Sequence, residues 1–303
     1  MVKKLWKLQN HGIPYQGAKT KIIDQIAKHF PNADNFYDLF GGGFSVTHYL
    51  MEYRAQSYKY FHYNDLRSSI CELIRDSIDG KYNYNVFKPD WITRERFMSE
   101  KKTNAYIQII WSFGNDGSSY LFGKHIENEK RSMHQAVVFD EFDDFFIKTF
   151  KITKFTDGMS ISEKRFHLKL LIRRLKRVEL QQLEQLERLQ QLKRLQQLER
   201  LTLTNLDYKD VEIRENSVIY CDIPYEGTRD YGSNFNHAIF FDWAASQTCP
   251  LFISEYEVKD DRFFLLKTIS HRSTFASGHN NAVKERLYCN KIAYDIIQKK
   301  IGN

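Results

Sequence analysis

Residues 36–53, FYDLFGGGFSVTHYLMEY, join a short apolar run, three consecutive glycines and a segment with helical spacing. The run at 36–40 suits a buried strand, and Val46, Leu50 and Tyr53 fall on one side of the helix that follows. Glycines at such a turn let the backbone adopt positive φ and approach a ligand closely, although tight packing alone would also use them. The stretch predicts an α/β sheet with this turn at the carboxyl end of a strand, where such sheets bind ligands.

The next predicted strand, YKYFHYND at 58–65, ends in a carboxylate about twenty residues beyond the glycines. In nucleoside-binding α/β folds an acid at this place accepts hydrogen bonds from ribose hydroxyls. Asp65 could equally be the N-cap of the helix predicted from Leu66. The glycine turn and the acid together suggest a nucleoside cofactor without identifying it.

The α/β pattern continues on both sides of this stretch. Upstream, a loop enters a helix over 22–30 that ends at Pro31. Downstream of residue 200, strands are predicted at 201–208, 217–225 and 250–258, with a helix at 237–246. The last run, ERLYCNKIAYDIIQKK at 285–300, predicts one or two more strands.

Residues 76–200 differ in pattern and are predicted to be a mainly helical domain, inserted into an α/β domain of residues 1–75 and 201–303. Aromatic and charged residues mix in this region, and strand-like runs are scarce. It contains a Gly- and Ser-rich loop, WSFGNDGSSYLFG at 111–123, and a strongly basic helical segment at 164–180.

Leucine recurs at every third position from Leu180 to Leu201, with Gln, Glu, Lys and Arg filling most of the gaps. Because an α-helix has 3.6 residues per turn, a period of three should wind the leucines around the helix instead of lining one side. The spacing is not a heptad, which disfavours a coiled coil. The composition favours a helix, and we expect a repeat expansion in a tolerant connection, with no chemistry of its own.

The chain has 303 residues, a hydrophobic share of 42%, which is enough for a core, and a formal net charge of +7. A basic protein often binds nucleic acid, but the charge could equally serve solubility alone. The basic N-terminus has no apolar run behind it, and no stretch reaches the length of a membrane span. Four distant cysteines, Cys71, Cys221, Cys249 and Cys289, lack the spacing of a zinc site. We expect reduced thiols, no metal, no membrane contact and a cytoplasmic location.

The run SVIYCDIPY at 217–225 places a carboxylate, a proline and an aromatic ring at the end of a predicted buried strand. An adenine amine is a poor nucleophile because its lone pair is delocalised into the ring. The Asp222 carboxylate and the Ile223 carbonyl could accept its two N–H bonds and stabilise the charge that develops. Tyr225 could stack on a base that has left the helix, where stacking contributes about 1–3 kcal/mol. A strand that simply ends in a proline turn is the alternative.

In this order, the segments YQGAK, DLFGGG, ND and CDIPY resemble the D12 class of DNA adenine methylases, and the resemblance runs from Tyr15 to about Asn290. That family places cofactor motifs first, then a DNA-recognition domain, then the catalytic motif. The resemblance implies a Rossmann-like, S-adenosyl-L-methionine-dependent methyltransferase fold. It also implies methylation of adenine N6 at specific sites in double-stranded DNA by base flipping. The low-complexity leucine run suggests a phage-like origin.

The resemblance assigns roles to individual residues. The cofactor would be held by Tyr15, Lys19, Asp38, Phe40, Gly41, Gly42, Gly43, Asp65 and Asp222, and the catalytic motif would be Asp222, Ile223, Pro224 and Tyr225. The common motif of the family is Asp-Pro-Pro-Tyr, so Ile223 is a departure from it. Isoleucine keeps the backbone carbonyl, and a residue before proline is held extended in either case, so we expect activity to survive.

Contacts with DNA are predicted in the inserted region. The basic run that begins with Lys164, Arg165 and Lys169 continues to Arg173, Arg174, Lys176 and Arg177, which are predicted to contact phosphates. A solvated helix face is the alternative for this run. Base edges are assigned to the loop residues Asn115, Ser118, Ser119 and Tyr120. A cognate restriction endonuclease and a monomeric or weakly dimeric state are further expectations.

Two other functions remain open on the sequence. The same motif could act on cytosine N4, RNA or a protein amide, or the chain could be an inactive homologue that only binds DNA. The resemblance over nearly the whole chain and the inserted basic region favour DNA adenine. The presence of Lys19, Asp65, Asp222 and Tyr225 favours an active enzyme.

Overall fold

The computed structural model describes residues 11–175, 179–226, 235–272 and 282–301. The chain divides into two compact units. The sheet unit comprises Met1–Gly12, Gly17–Cys71 and Leu195–Asn303, and the helical unit comprises Ile13–Gln16 and Glu72–Arg194. The helical unit therefore interrupts the sheet unit in sequence.

Among the described residues, seven strands form one sheet: β1 (Asn35–Asp38), β2 (Tyr60–Asn64), β3 (Leu201–Thr204), β4 (Ser217–Asp222), β5 (Leu251–Glu255), β6 (Phe263–Arg272) and β7 (Ala282–Asn290). Their spatial order is 3-2-1-4-5-7-6. The first five are parallel, and β7 is antiparallel to β5 and β6. The strand order reverses between β1 and β4, and sheets of this kind bind ligands in the crevice at the carboxyl ends of those two strands. Asp38 and Asp222 occupy these ends.

The α-helices are, in chain order, α1 (Ile23–Ala27), α2 (Ser45–Tyr53), α3 (Ser68–Ile78), α4 (Arg94–Glu100), α5 (Ala105–Ile110), α6 (Glu127–Phe139), α7 (Asp144–Phe150), α8 (Ile161–Leu175), α9 (Gln181–Gln191), α10 (His237–Ser246) and α11 (Lys291–Ile301). Helices α2 and α10 have the predicted bounds. Strands β1 and β5 are buried at every residue, and β4 at all but its last, as expected for apolar strands covered on both faces. Mixed α/β architecture is thereby confirmed.

The C-terminal region differs from the prediction in two places. Strand β6 has no counterpart among the predicted strands, and residues 291–301, predicted as strand-like, form helix α11. The Asn290 side chain accepts a hydrogen bond from the Ala293 backbone N–H, which is the arrangement of an N-cap. Lys291 and Asp295 then form an ion pair one turn apart. An Asn before apolar residues at helical spacing was the local indication of this helix.

Side-chain caps define where several helices of the helical unit begin. Thr93, Asn104 and Asp143 each accept a backbone N–H of the first turn of α4, α5 and α7. Before α8, Ser160 and Glu163 accept each other's backbone N–H groups, forming a capping box. The apolar faces of α6, α7, α8 and α9 meet in one core that includes Met133, Val137, Phe146, Phe150, Leu168, Ile172, Leu180 and Leu183.

The leucine repeat is a helix at its start, as predicted, but its leucines are not spread around the helix. Leu183, Leu186 and Leu189 of α9 are all fully buried. A step of three residues turns a helix by about 300°, so three leucines span only about 120°, the width of an ordinary apolar face. The expectation of a winding pattern was wrong because α9 is too short for the drift to accumulate. The expectation of a tolerant connection is also wrong for these residues, since they lie in a core.

Beyond α9, the repeat breaks into 3-10 helices at Leu192–Arg194 and Leu198–Arg200, and β3 begins at Leu201. Leu192 is still fully buried, whereas Leu198 is 38% exposed. No helix among the described residues is both long and apolar enough to cross a membrane. All four cysteines are free thiols, and Cys249 is only partly buried.

Candidate active site

The glycine turn after β1 is held by the residues that end β2. Gly42 has a φ of 45°, and its N–H donates to Asp65 Oδ2 at 2.9 Å while its carbonyl accepts the Tyr63 hydroxyl at 2.7 Å. A Cβ on Gly41 would lie 2.1 Å from the Tyr63 ring, so only glycine fits there. Gly43 lies so close to Gly12 that a Cβ on Gly12 would meet the Gly43 carbonyl oxygen. Both the positive φ and the close packing predicted for this turn are present.

Asp65 lies directly after β2 and is 6% exposed. Its Oδ1 accepts the Arg67 backbone N–H at 3.0 Å and the Arg67 Nε at 3.2 Å. Together with the Gly42 bond, these contacts fix the carboxylate at the edge of the glycine turn. A carboxylate has about four acceptor positions, so a ribose hydroxyl could be bound here in exchange for an Arg67 contact. The ribose role of Asp65 stays a prediction.

Asp38 ends β1 and is 1% exposed. The Thr47 hydroxyl donates to its Oδ2 at 2.8 Å, whereas Oδ1 is buried without a hydrogen-bond partner among the described residues. Burial raises the pKa of Asp38 to about 7, and the carboxylates of Asp222 and Asp65 act in the same direction. Because a buried acceptor without a donor is costly, this atom is suited to a donor from a bound ligand.

Lys19 and Asp222 form the central ion pair of the site. Lys19 lies in the 3-10 helix Lys19–Lys21, 5% exposed, and its Nζ is 2.6 Å from Asp222 Oδ2. The same ammonium donates to the Gly17 carbonyl at 3.2 Å. The Asp222 side chain keeps 22% of its surface accessible, so it can be reached from the crevice. The structure thus brings together two residues that are more than two hundred positions apart in sequence.

Tyr225 adds a second donor to Asp222. Its hydroxyl donates to Asp222 Oδ1 at 3.1 Å, and its ring lies 4.5 Å from Tyr256 in a T-shaped pair. The Lys19 ammonium is 5.2 Å from the centre of the Tyr225 ring. Sequence analysis predicted a role for the ring but not for the hydroxyl.

Two buried glutamates beside Asp222 were not predicted. Glu255 ends β5 and is 1% exposed, with Oε1 accepting the Glu226 N–H. Glu285 lies in β7, is 4% exposed, and has its Oε1 3.4 Å from Lys19 Nζ. For Glu255, the available indication was an acid at the end of LFISE, in the same position as the acids that end β1 and β4. Glu285 had no such indication, because β7 runs antiparallel and the residue is not at its end.

The charges of the site shift several pKa values. Burial raises the pKa of Asp222 to about 6, although the Lys19 ammonium opposes the shift and Glu285 adds to it. The pKa of Lys19 is raised because Asp222 and Glu285 outweigh the effect of burial. Burial likewise raises the pKa of Glu255 to about 7. A cluster of acids with one buried cation gives the crevice a negative character that favours a cationic ligand.

Ile223, which replaces a proline of the usual motif, is 2% exposed and belongs to the core cluster with Ile219, Phe240 and Ile253. Its side chain thus contributes to packing beneath the site. The following Pro224 offers its carbonyl to His237 Nε2 at 2.9 Å, which ties the turn at 222–225 to the start of α10. The Ile223 side chain is accommodated by packing in the core.

The remaining predicted cofactor residues lie in different surroundings. Phe40 is partly buried and packs its ring against Tyr208 and Phe240, at 5.2 and 5.7 Å between ring centres. It therefore supports the glycine turn through the core. Tyr15 belongs to the segment Ile13–Gln16, which groups with the helical unit. Its role toward a cofactor stays a prediction.

In the loop at 111–123, only some of the side chains predicted to contact base edges are accessible to solvent. Ser118 and Ser119 are exposed, and Ser118 bonds to Asp116. The Asn115 amide donates to the Ile109 carbonyl at 2.8 Å. Tyr120 is 6% exposed and its hydroxyl donates to the Ile92 carbonyl at 2.6 Å. The expectation that Tyr120 reaches a base edge is corrected, because this residue is part of the core.

Much of the predicted basic run is neutralised within the helical unit. Lys164 pairs with Asp140 at 2.6 Å, Arg165 with Glu187 at 2.6 Å and Lys169 with Glu179 at 2.9 Å. The charges of these three residues thus have partners within the protein, and their contact with phosphates stays a prediction. Arg173 is exposed on α8. Lys176 and Arg177, and the side chain of Arg174, lie outside the described residues.

His11, His48 and Glu52 have ligand atoms within 4.8 Å of one another, a spacing that a metal ion could bridge. His48 Nδ1 accepts the Gly12 N–H at 2.8 Å, and burial lowers the pKa of His48 to about 3, so the ring is neutral with its proton on Nε2. A histidine nitrogen that binds a metal must be unprotonated, and the other ring nitrogen then usually donates its N–H to a neighbouring acceptor. The cluster fits a hydrogen-bonded group better than a metal centre, and the absence of a metal stays a prediction.

Comparison with known proteins agrees with this geometry. No individual curated protein matches the chain. The family model of the D12 class N6 adenine-specific DNA methyltransferases matches residues 15–240, well over half of the chain, and the matched range contains the glycine turn, Asp65, Lys19 and the Asp222 turn. The chain therefore belongs to the D12 class of N6 adenine-specific DNA methyltransferases.

Proposed function

We propose that this DNA adenine-N6 methyltransferase binds S-adenosylmethionine at the carboxyl ends of β1 and β2 and uses Asp222 to accept the adenine amine. The observation that carries the proposal is the convergence of the glycine turn, Asp38 and Asp222 at the point where the strand order reverses. The unsatisfied Asp38 Oδ1 and the acidic crevice suit a ligand that has both hydrogen-bond donors and positive charge. S-adenosylmethionine has both, and its sulfonium supplies an electrophilic methyl group.

Each residue of the site has its own proposed role. Asp38 and the glycine turn would hold the methionine part of the cofactor, and Asp65 its ribose hydroxyls. Asp222 would accept an N6–H bond of adenine and stabilise the positive charge that develops on the nitrogen. With a pKa raised to about 6, Asp222 is ionised at neutral pH, as an acceptor must be. Lys19 would orient the Asp222 carboxylate, and Tyr225 would stack on the base after it has left the duplex.

The substrate is proposed to be double-stranded DNA, from which the target adenine is flipped into the site. Ser118, Ser119 and Arg173 of the helical unit are exposed and remain the candidates for contacts with DNA. We further propose that the enzyme acts in the cytoplasm as a monomer or weak dimer, with or without a cognate endonuclease.

The test combines product identification with a variant. The protein is incubated with methyl-labelled S-adenosylmethionine and DNA or RNA, and the digested product should be N6-methyladenine from DNA. Asp222→Asn should reduce single-turnover methylation at least a hundredfold, because an amide has one acceptor oxygen and no negative charge. The circular dichroism spectrum should show that the variant is folded, although its melting temperature should fall because Lys19 loses the charge of its buried partner. Turnover near the wild-type rate would refute the role of Asp222.

A further inference from the structure

The Asp222 carboxylate is already engaged before any substrate arrives. Lys19 Nζ lies 2.6 Å from Oδ2, and the Tyr225 hydroxyl donates to Oδ1 at 3.1 Å. An incoming amine must therefore compete with one of these donors or accept a weaker, shared position. The contact with Lys19 is the stronger of the two, because both partners carry a charge and the atoms are closer.

Glu285 lies beside the stronger donor. Its Oε1 is 3.4 Å from Lys19 Nζ, and apart from this ion pair the buried oxygen has no hydrogen-bond partner among the described residues. A charge-assisted bond is usually about 2.7–2.9 Å long, so a shift of about half an ångström would convert the contact into one. Buried carboxylate oxygens are normally satisfied, and this exception needs an explanation.

We propose that Glu285 is a positioning residue that takes over the Lys19 ammonium when the adenine amine binds to Asp222. In the free enzyme Lys19 is bonded to Asp222 and the nearer oxygen of Glu285 is unsatisfied. When the amine arrives, the ammonium moves toward Glu285, Oδ2 of Asp222 becomes available to the N6–H, and Lys19 stays protonated throughout. The number of hydrogen bonds on Asp222 is conserved, because the amine replaces the ammonium, and Glu285 gains one bond from Lys19. This inference rests on the proposed role of Asp222 as acceptor.

Besides Asp222 and the Gly17 carbonyl, Lys19 has a further acceptor within reach in Glu285. Titratable groups that face Asp222 from the surrounding elements are Lys19, Asp38, Glu255, Glu285 and the phenols of Tyr220, Tyr225 and Tyr256. Of the carboxylates in this group, Glu285 is the one that forms an ion pair with Lys19 besides Asp222.

The experiment compares Glu285→Gln and Glu285→Asp with the wild type and with Asp222→Asn, using single-turnover methylation of an oligonucleotide duplex at saturating S-adenosylmethionine. Glu285→Gln should lower the methylation rate at least tenfold and change the affinity for S-adenosylhomocysteine less than twofold. The acid limb of its pH–rate profile should move to lower pH, since a negative charge that raises the pKa of Asp222 has been removed. Glu285→Asp keeps the charge and should recover part of the rate, with the acid limb near its wild-type position.

The outcomes separate the two proposals. A wild-type rate in Glu285→Gln, together with an inactive Asp222→Asn, would overturn the role of Glu285 alone. A slow Glu285→Gln with a lowered melting temperature and an unmoved acid limb would also overturn it, because a purely structural role predicts that result. An active Asp222→Asn would refute the proposed function, and this inference with it. If Glu285→Gln does not fold, Glu285→Asp is the test. Its shorter side chain moves the carboxylate away from Lys19, so a rate equal to the wild type's at every pH would overturn the role of Glu285.

Discussion

For Tyr225, the sequence predicts a role of the ring, whereas the structure shows a contact of the hydroxyl. The motif predicts that its ring stacks on the flipped base, so that the hydroxyl has no part. In the structure the hydroxyl donates to Asp222 Oδ1 at 3.1 Å. The ring and the hydroxyl therefore have separable roles, one toward the base and one toward the carboxylate.

Substitutions at this position distinguish the two roles. Tyr225→Ala should lower single-turnover methylation about 5- to 150-fold, as expected from the loss of about 1–3 kcal/mol of stacking. Tyr225→Phe should keep most of the activity, because it preserves the ring that stacks on the base. A mismatch at the target adenine should restore part of the rate of Tyr225→Ala, since an unpaired base costs less to extrude. Normal melting temperature, low activity and no effect of the mismatch would contradict stacking.

Asp65 is predicted to act on the cofactor rather than on DNA. Asp65→Ala removes the acceptor for ribose hydroxyls, each bond contributing about 1.5–3 kcal/mol, and also the partner of the Gly42 N–H. We expect the affinity for S-adenosylhomocysteine to fall more than tenfold and DNA affinity to change little. Asp65→Asn retains an oxygen for Gly42 and should lose less. Calorimetry measures both affinities, and unchanged binding of S-adenosylhomocysteine in Asp65→Ala would exclude the ribose role.

At the scale of elements, the leucine repeat offers matched variants within one motif. Leu186 is fully buried in α9, whereas Leu198, at the same repeat position, is 38% exposed. Leu186→Ala should reduce the free energy of unfolding by about 2–5 kcal/mol, the usual cost of a leucine cavity. Leu198→Ala should cost less than about 1 kcal/mol, since little packing is lost. Chemical denaturation measures both, and equal effects would show that the repeat acts as a uniform spacer.

The elements also show how far sequence reasoning extends. Strands that end in Asp38 and Asp222 were predictable because apolar runs followed by glycine or proline have few other interpretations. Helix α11 and strand β6 could not be predicted, because short apolar runs fit the period of a helix or of a strand. For α11, the Asn290 cap is the local feature that favours a helix. Glu285 could not be predicted from the sequence, for another reason. Its approach to Lys19 depends on the antiparallel placement of β7 beside β5, which no local pattern encodes.

At the scale of the whole molecule, the net charge of +7 does not say which cations are available to DNA. Lys169 is paired with Glu179, whereas Arg173 is exposed on the same helix. If α8 contacts phosphates, Arg173→Ala should reduce the slope of log affinity against log salt by about 0.9, the value for one released counterion. Lys169→Ala should leave the slope nearly unchanged. Fluorescence anisotropy across a salt series measures this, and equal slopes for the wild type and Arg173→Ala would remove α8 from the DNA interface.

The insertion of the helical unit between β2 and β3 has a consequence for how the chain folds. Phe61 pairs with Leu201, although residues Glu72–Arg194 of the helical unit lie between them in sequence. Closing a disordered loop of that length is entropically costly and slow, whereas helices form from contacts that are local in sequence. We expect the helical unit to collapse early and shorten the effective loop, so that the edge strand docks late. During synthesis the sheet would then stay open at this edge until the ribosome has passed the leucine repeat.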